Sequence, residues 1–124
     1  MTLHPLRDQT VAHALTKPGA WLDHPWSPDH DVVKVGERIF MYSSQNADGM
    51  SVRGEPDDVR SWRGRYPDAI GPAPYMGTKP WNYVLFDGTV PKEALHQLVD
   101  ESYVTVVSRL PKKHRPEGWD AGLA

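Results

Sequence analysis

Residues 31–36 and 38–44 form two strand-like runs joined only through Gly36-Glu37, and that spacing constrains the fold more than any other feature of the chain. Val32, Val33, Val35, Ile39, Phe40 and Tyr42 give both runs high strand preference. So short a link can only reverse the chain, because a parallel crossover takes about a dozen residues or more. The polar turn Gln45-Asn46-Ala47-Asp48-Gly49 leads just as quickly into a third run, residues 50–53. A fourth run covers residues 81–87 and ends at Asp87-Gly88. The sheet is therefore predicted to be antiparallel, with helices gathered on one side.

Three stretches carry helical periodicity. Leu3, Leu6, Val11, Ala14 and Leu15 share a stripe over residues 3–16, which Pro18-Gly19 stops. Pro56, Asp57 and Asp58 make a favourable helix start, with proline in the first turn and carboxylates at the positive end of the dipole. Val59, Trp62 and Tyr66 then give that helix a short apolar face. The last helix opens at Pro91, repeats through Leu95, Leu98, Val99, Tyr103, Val106, Val107 and Leu110, and closes at Leu110-Pro111. Residues 23–31 and 69–80 read as loops. The expected fold is α+β, a sheet of four to five antiparallel strands packed against about three helices. Trp62, Tyr66, Leu95, Leu98, Val99, Tyr103 and Val106 are expected to face the sheet. Residues 1–124 read as one domain, with a core over about residues 3–111 and a tail over 112–124.

Composition bounds the chemistry. The chain has no Cys, which removes disulfides, thiol catalysis and thiolate metal sites. No apolar run approaches the ~20 residues of a membrane span, and the first residues lack the basic-then-apolar layout of a secretory signal. A cytoplasmic protein with no membrane partner is expected; the oligomeric state stays open, with a monomer favoured. His24, Asp29, His30 and Asp31 are the right ligand types for a metal but share one loop without a period to converge them, so no metal site is predicted. The stretch from Gly71 to Lys79 misses the phosphate-loop spacing, and no Ser sits in a Gly-x-Ser-x-Gly elbow. His96 falls at helical spacing from Asp100 and from Tyr103, a pairing that surface helices show by chance. No catalytic residue and no cofactor are predicted.

The cations are more informative. Arg109, Lys112, Lys113 and Arg115 cluster without an acid after the last helix. Arg60, Arg63 and Arg65 flank the apolar stripe of the second helix, and Lys79 lies near Tyr75 and Trp81. Lys and Arg close to aromatic side chains suit nucleic-acid binding by phosphate neutralisation and stacking. A helix C-terminus also attracts cations for its dipole alone, and the net charge is −2, so the basic face is local. A non-enzymatic DNA-binding protein using Arg60, Arg63, Lys79, Lys112, Lys113 and Arg115 is one reading. Asp57 and Asp58 are expected to neutralise part of Arg60, leaving the segment 109–115 as the main contact. The alternatives are a small-ligand or regulatory domain, with a pocket at loop 71–82 formed by Tyr75, Met76, Lys79, Trp81 and Asn82, or a protein-interaction module.

The string also resembles the MmcQ/YjbR family of small bacterial proteins. The matching stretches are Leu15-Thr16-Lys17-Pro18-Gly19-Ala20-Trp21, His24-Pro25-Trp26, Asp31-Val32-Val33-Lys34-Val35-Gly36 with Ile39-Phe40, and Trp81-Asn82. Asp87-Gly88-Thr89-Val90-Pro91, Asp100-Glu101-Ser102-Tyr103 and Arg109-Leu110-Pro111-Lys112-Lys113 complete the set, in the family's order and spacing. The resemblance implies a curved antiparallel sheet on helices, related in shape to secretion-chaperone-like folds. It also implies the DNA-binding label the family commonly carries, from a proposed double-wing arrangement of loops. Tyr75 and Pro80 stand where many members have His, so no role of those His residues carries over.

Overall fold

The computed structural model describes residues 5–45, 47–74 and 79–121. The chain runs α1 (Pro5–Leu15), β1 (Ala20–Asp23), β2 (His30–Val35), β3 (Arg38–Ser44), β4 (Gly49–Arg53), α2 (Pro56–Arg65), β5 (Ile70–Pro72), β6 (Trp81–Leu85) and α3 (Lys92–Ser108), then a 3-10 turn at Lys112–His114. The strands form one sheet in the order β1-β2-β3-β4-β6-β5, every neighbouring pair antiparallel. Gly36 supplies the β2–β3 reversal with a φ of 59°, a left-handed conformation that costs glycine nothing.

The expected α+β fold is present, and the sheet has six strands where the sequence suggested four or five. The two extra strands, β1 and β5, are the edges. Each is short, and in β5 Ile70 is followed by Gly71 and Pro72, two residues that disfavour strands. Their pairing partners, β2 and β6, hold them in place rather than any local pattern.

One sheet face and the helices make the core. Val33, Val35, Met41, Met50, Val52 and Val84 pack against Val11 and Ala14 of α1, Trp62 of α2, and Leu95, Leu98, Val99, Tyr103 and Val106 of α3. Tyr66 is only partly buried and packs on the rim of that cluster. A register shift between Val33 and Lys34 leaves Phe40 as the extra residue of β3, so Phe40 and Met41 are both fully buried and Ile39 falls out of their alternation. Ser102 of α3 fixes this irregularity. Its hydroxyl donates to the Phe40 carbonyl at 2.5 Å and accepts from the Arg53 amide at 2.9 Å. The helix, the bulged strand and the end of β4 are thereby tied at one point.

Candidate functional site

That tie sets the position of Arg53. Along β4, Met50 and Val52 enter the core, so Arg53 falls on the opposite side, in register with Trp81 of β6. Beside them is a half-open cleft of about 460 Å³, lined by Glu37, Arg38, Ile39, Arg53, Trp81, Val106, Arg109 and Leu110. Its three arginines come from three element ends: Arg38 opens β3, Arg53 closes β4, and Arg109 caps α3. Ile39, Trp81, Val106 and Leu110 supply the apolar walls. The Trp81 ring packs on Tyr42 with centroids 5.8 Å apart, and Tyr42 meets Trp26 edge-on at 5.3 Å, which braces that wall from outside the cleft.

The electrostatics of the cleft are uneven. Among the described residues the Arg53 side chain has no hydrogen-bond partner, and its Nε is buried. Burial lowers the Arg53 pKa from its usual value, and the neighbouring charges of Arg109 and Arg38 add to that, against the opposing pull of Glu55. Leaving the buried Nε unpaired costs about 1–3 kcal/mol, and the rest of the guanidinium is open to an anion in the cleft. Arg109 is already engaged. It holds Glu55 with two parallel bonds, Nη1 to Oε1 at 2.8 Å and Nη2 to Oε2 at 3.0 Å, and Nη1 also donates to the Thr105 carbonyl at 3.0 Å. The hydrogen bond to Arg109 draws the Glu55 pKa below the usual carboxylate range, and the same bond raises that of Arg109.

The residues singled out from the sequence fall elsewhere. Arg60 pairs with Asp57 on the exposed face of α2, as expected from the acids beside it. Arg63 is a structural clip, donating to Asn82 Oδ1 at 2.7 Å and to the Trp81 carbonyl at 3.2 Å. Asn82 in turn donates to the Val59 carbonyl at 3.2 Å, so it is buried behind Trp81 rather than open to a ligand. Arg115 donates to the carbonyls of Leu110 at 3.0 Å and Ser108 at 2.8 Å, closing the C-terminal end of α3. Lys79, Lys112 and Lys113 are exposed. Tyr75 and Met76 lie outside the described residues. Of the candidates among the described residues, Trp81 and, from the segment 109–115, Arg109 line the cleft, and Lys112 and Lys113 follow within a few residues of its Leu110 wall.

Other polar clusters pair mostly among themselves, although the buried His30 Nδ1 and His96 Nε2 have no partner among the described residues. His24 Nε2 lies 2.7 Å from Asp31 Oδ1, and Arg7 takes the other oxygen. Among the described residues no group of three or more His, Cys, Asp or Glu is placed to hold a metal. Asp100 meets His13 at 2.7 Å and Lys17 at 2.5 Å, while His96 stacks on the His13 ring at 4.1 Å. The large apolar side chains left exposed, among the described residues, are Trp21, Leu22 and Trp26, on or just after edge strand β1. No helix among them is long and apolar enough to cross a membrane.

The comparisons with known proteins agree with this architecture. The family model described as YjbR matches residues 15–105, most of the chain. The chain belongs to the YjbR family. YjbR of Escherichia coli strain K12 is 25% identical over 111 residues, spanning 86% of this chain and 92% of that protein. YbdF of Escherichia coli O157:H7 is 30% identical over 102 residues, 81% of this chain and 83% of its own length. The crystal structure of Deinococcus radiodurans protein DR2400, a DUF419 domain, superposes with a TM-score of 0.80 at 26% identity, covering 98% of this chain and 94% of that one. The fold is thus shared with that structure over 98% of the chain.

Proposed function

We propose that the chain is a non-enzymatic DNA-binding protein that holds phosphate in the Arg38–Arg53–Arg109 cleft, with Lys112 and Lys113 as flanking contacts. The observation carrying this reading is Arg53: a half-buried guanidinium with no hydrogen-bond partner among the described residues, beside two further arginines, in a concave site. Guanidinium forks match phosphate oxygens in pairs, which makes arginine the side chain of choice for such contacts. Arg109 lines the cleft and the exposed Lys112 and Lys113 follow a few residues on, which supports a role for the segment 109–115 in this reading.

Binding of this kind releases counterions. Three to five phosphate contacts give a fall of roughly 2.7 to 4.5 log units in affinity per log unit of salt. Fluorescence anisotropy of a labelled duplex between 50 and 300 mM salt, roughly the range over which such binding fades, reads that slope directly. Arg53→Met should lower affinity at least tenfold, about the worth of one charge-assisted contact. No measurable binding at the lowest salt, or full binding by Arg53→Met, would remove the reading.

A second reading has its own observation. The cleft is a concavity beside Trp81, within the range of roughly 300–1,000 Å³ typical of small-molecule sites. An anionic small molecule with a flat apolar part would use the same arginines and the Trp81 wall.

A further inference from the structure

Glu55 occupies the third arginine of the cleft, and its situation is unusual for a residue at that position. It is the N-cap of α2, with extended backbone (φ −71°, ψ 149°), yet its side chain makes no capping bond to the helix. Both carboxylate oxygens are turned instead onto Arg109, more than fifty residues away in sequence. The pair is about half exposed, so solvent screens it and another anion has access to compete for Arg109. A released Glu55 has somewhere to go. The first amides of α2 have no intrahelical acceptor, and the positive end of that helix favours a carboxylate.

We propose that Glu55 gates the cleft, so that it takes a phosphomonoester dianion in preference to a phosphodiester. This rests on the reading of the cleft as a phosphate site. A phosphodiester brings one negative charge over two free oxygens. On Arg109 it would only replace one monoanionic fork by another, while leaving the displaced Glu55 carboxylate close by. It gains contacts to Arg38 and Arg53 alone. A phosphomonoester carries about −1.5 to −2 charges at pH 7 and three acceptor oxygens. It reaches Arg38 and Arg53 and still outcompetes the Glu55 carboxylate for Arg109. Glu37 at the rim adds a further penalty for a ligand that carries its charge diffusely along a strand rather than at an end. The chemistry is shared by the 5′-phosphorylated end of a nucleic-acid strand and by a free phosphorylated small molecule.

The test compares three probes on the full chain at pH 7.5: a 5′-phosphorylated single-stranded decamer, the same decamer with a 5′-hydroxyl, and inorganic phosphate as competitor. The phosphorylated decamer should bind about tenfold more tightly than its hydroxyl counterpart, the worth of one added charge-assisted contact. Glu55→Gln should tighten the hydroxyl decamer and bring the two affinities within about twofold of each other, because a neutral amide competes weakly for a guanidinium. Circular dichroism of Glu55→Gln should match the parent, as the residue is exposed. Competition by inorganic phosphate alone, at the concentration that saturates with the phosphorylated decamer, supports the gate and assigns the ligand to a free phosphorylated molecule. Equal, salt-sensitive binding of both decamers by the parent overturns the gate and leaves the phosphate site standing. Absence of binding by all three probes overturns both.

Discussion

Arg7 on α1 and Arg53 on β4 are both drawn out of water, but their surroundings differ in kind. Arg7 is 5% exposed, and its terminal nitrogens reach Asp8 at 3.1 Å, the Asp31 carboxylate, and the Ser43 carbonyl at 3.1 Å. That set ties the first helix to the start of β2 and the end of β3. His24 completes it by binding the second oxygen of Asp31. Both arginines have a buried Nε without a partner, so that atom does not separate them. What separates them is the rest of the fork: sealed against protein acceptors in Arg7, unpartnered and facing a cleft in Arg53. A buried charge with its counter-charge in place is part of the fold. A half-buried one with acids nearby but none bonded to it can take an anion from outside.

Two substitutions break the comparison from opposite sides, and they carry the largest effects. Asp31→Ala strips Arg7 of its principal counter-charge inside the protein and should cost about 3–5 kcal/mol of stability. Arg53→Met removes an unsatisfied charge while keeping an unbranched apolar stem, and stability should hold or rise by about 1 kcal/mol. Urea unfolding of both variants beside the parent reads the two numbers on one scale. If Arg53→Met loses as much as Asp31→Ala, the cleft arginine is a structural residue with a partner of its own and the distinction fails.

The same contrast has a pH signature of moderate size. Burial raises the Asp31 pKa, but hydrogen bonds from Arg7 and His24 more than offset that, and the net shift is downward. A carboxyl whose folded pKa is depressed contributes stability in full above its unfolded value of about 3.9 and loses it as pH falls through the lower folded value. The unfolded chain binds the proton first, so acid favours unfolding. Stability of the parent should therefore decline below about pH 4, and Asp31→Asn should flatten that part of the curve. Arg53→Met should follow the parent's acid limb, because an arginine stays protonated throughout this range. Thermal melts between pH 2.5 and 6 would show it. An acid limb that persists unchanged in Asp31→Asn places the responsible carboxylate elsewhere.

The interior of the sheet could be read from residues alone because each inner strand is its own signal. The β-branched run Val32, Val33, Val35 and the link at Gly36-Glu37 fix direction and neighbour together. The helical stripe ending at Val107 and Leu110 is equally local. The edge strands β1 and β5 were hidden because their backbone pairing is all that makes them strands. The cleft was hidden for a related reason. Arg38, Arg53 and Arg109 are spread over seventy residues; Arg109 stands in the cationic segment the sequence marked, but Arg38 and Arg53 look ordinary in theirs. What unites them is the β4–β6 register that sets Arg53 against Trp81, and the Ser102 contacts that bring α3 over the end of β4. The sequence clusters misled in the opposite direction. Arg63 and Arg115 stand among cations in the chain, but their donors are spent on Asn82, Trp81, Ser108 and Leu110.

The smallest effects come from the segment after α3, where the same distinction recurs among three neighbouring cations. Lys112 and Lys113 are exposed, whereas Arg115 holds the last carbonyls of the helix and lies over the Trp119 ring at 5.5 Å. Replacing Lys112 and Lys113 together by Ala should leave stability within about 0.5 kcal/mol of the parent. Their loss should lower the salt slope of DNA binding by at most about 1.8 log units, two phosphate contacts' worth. Arg115→Ala should behave the other way. It removes the donors to two helix-end carbonyls and a cation–aromatic contact, for about 1 kcal/mol of stability, with the salt slope nearly unchanged. Measuring urea midpoints and salt slopes on the two variants separates the roles. A slope that drops in Arg115→Ala without a change in midpoint would move that residue from the helix cap to the binding surface, and would show that a protein-bound arginine can still serve a phosphate.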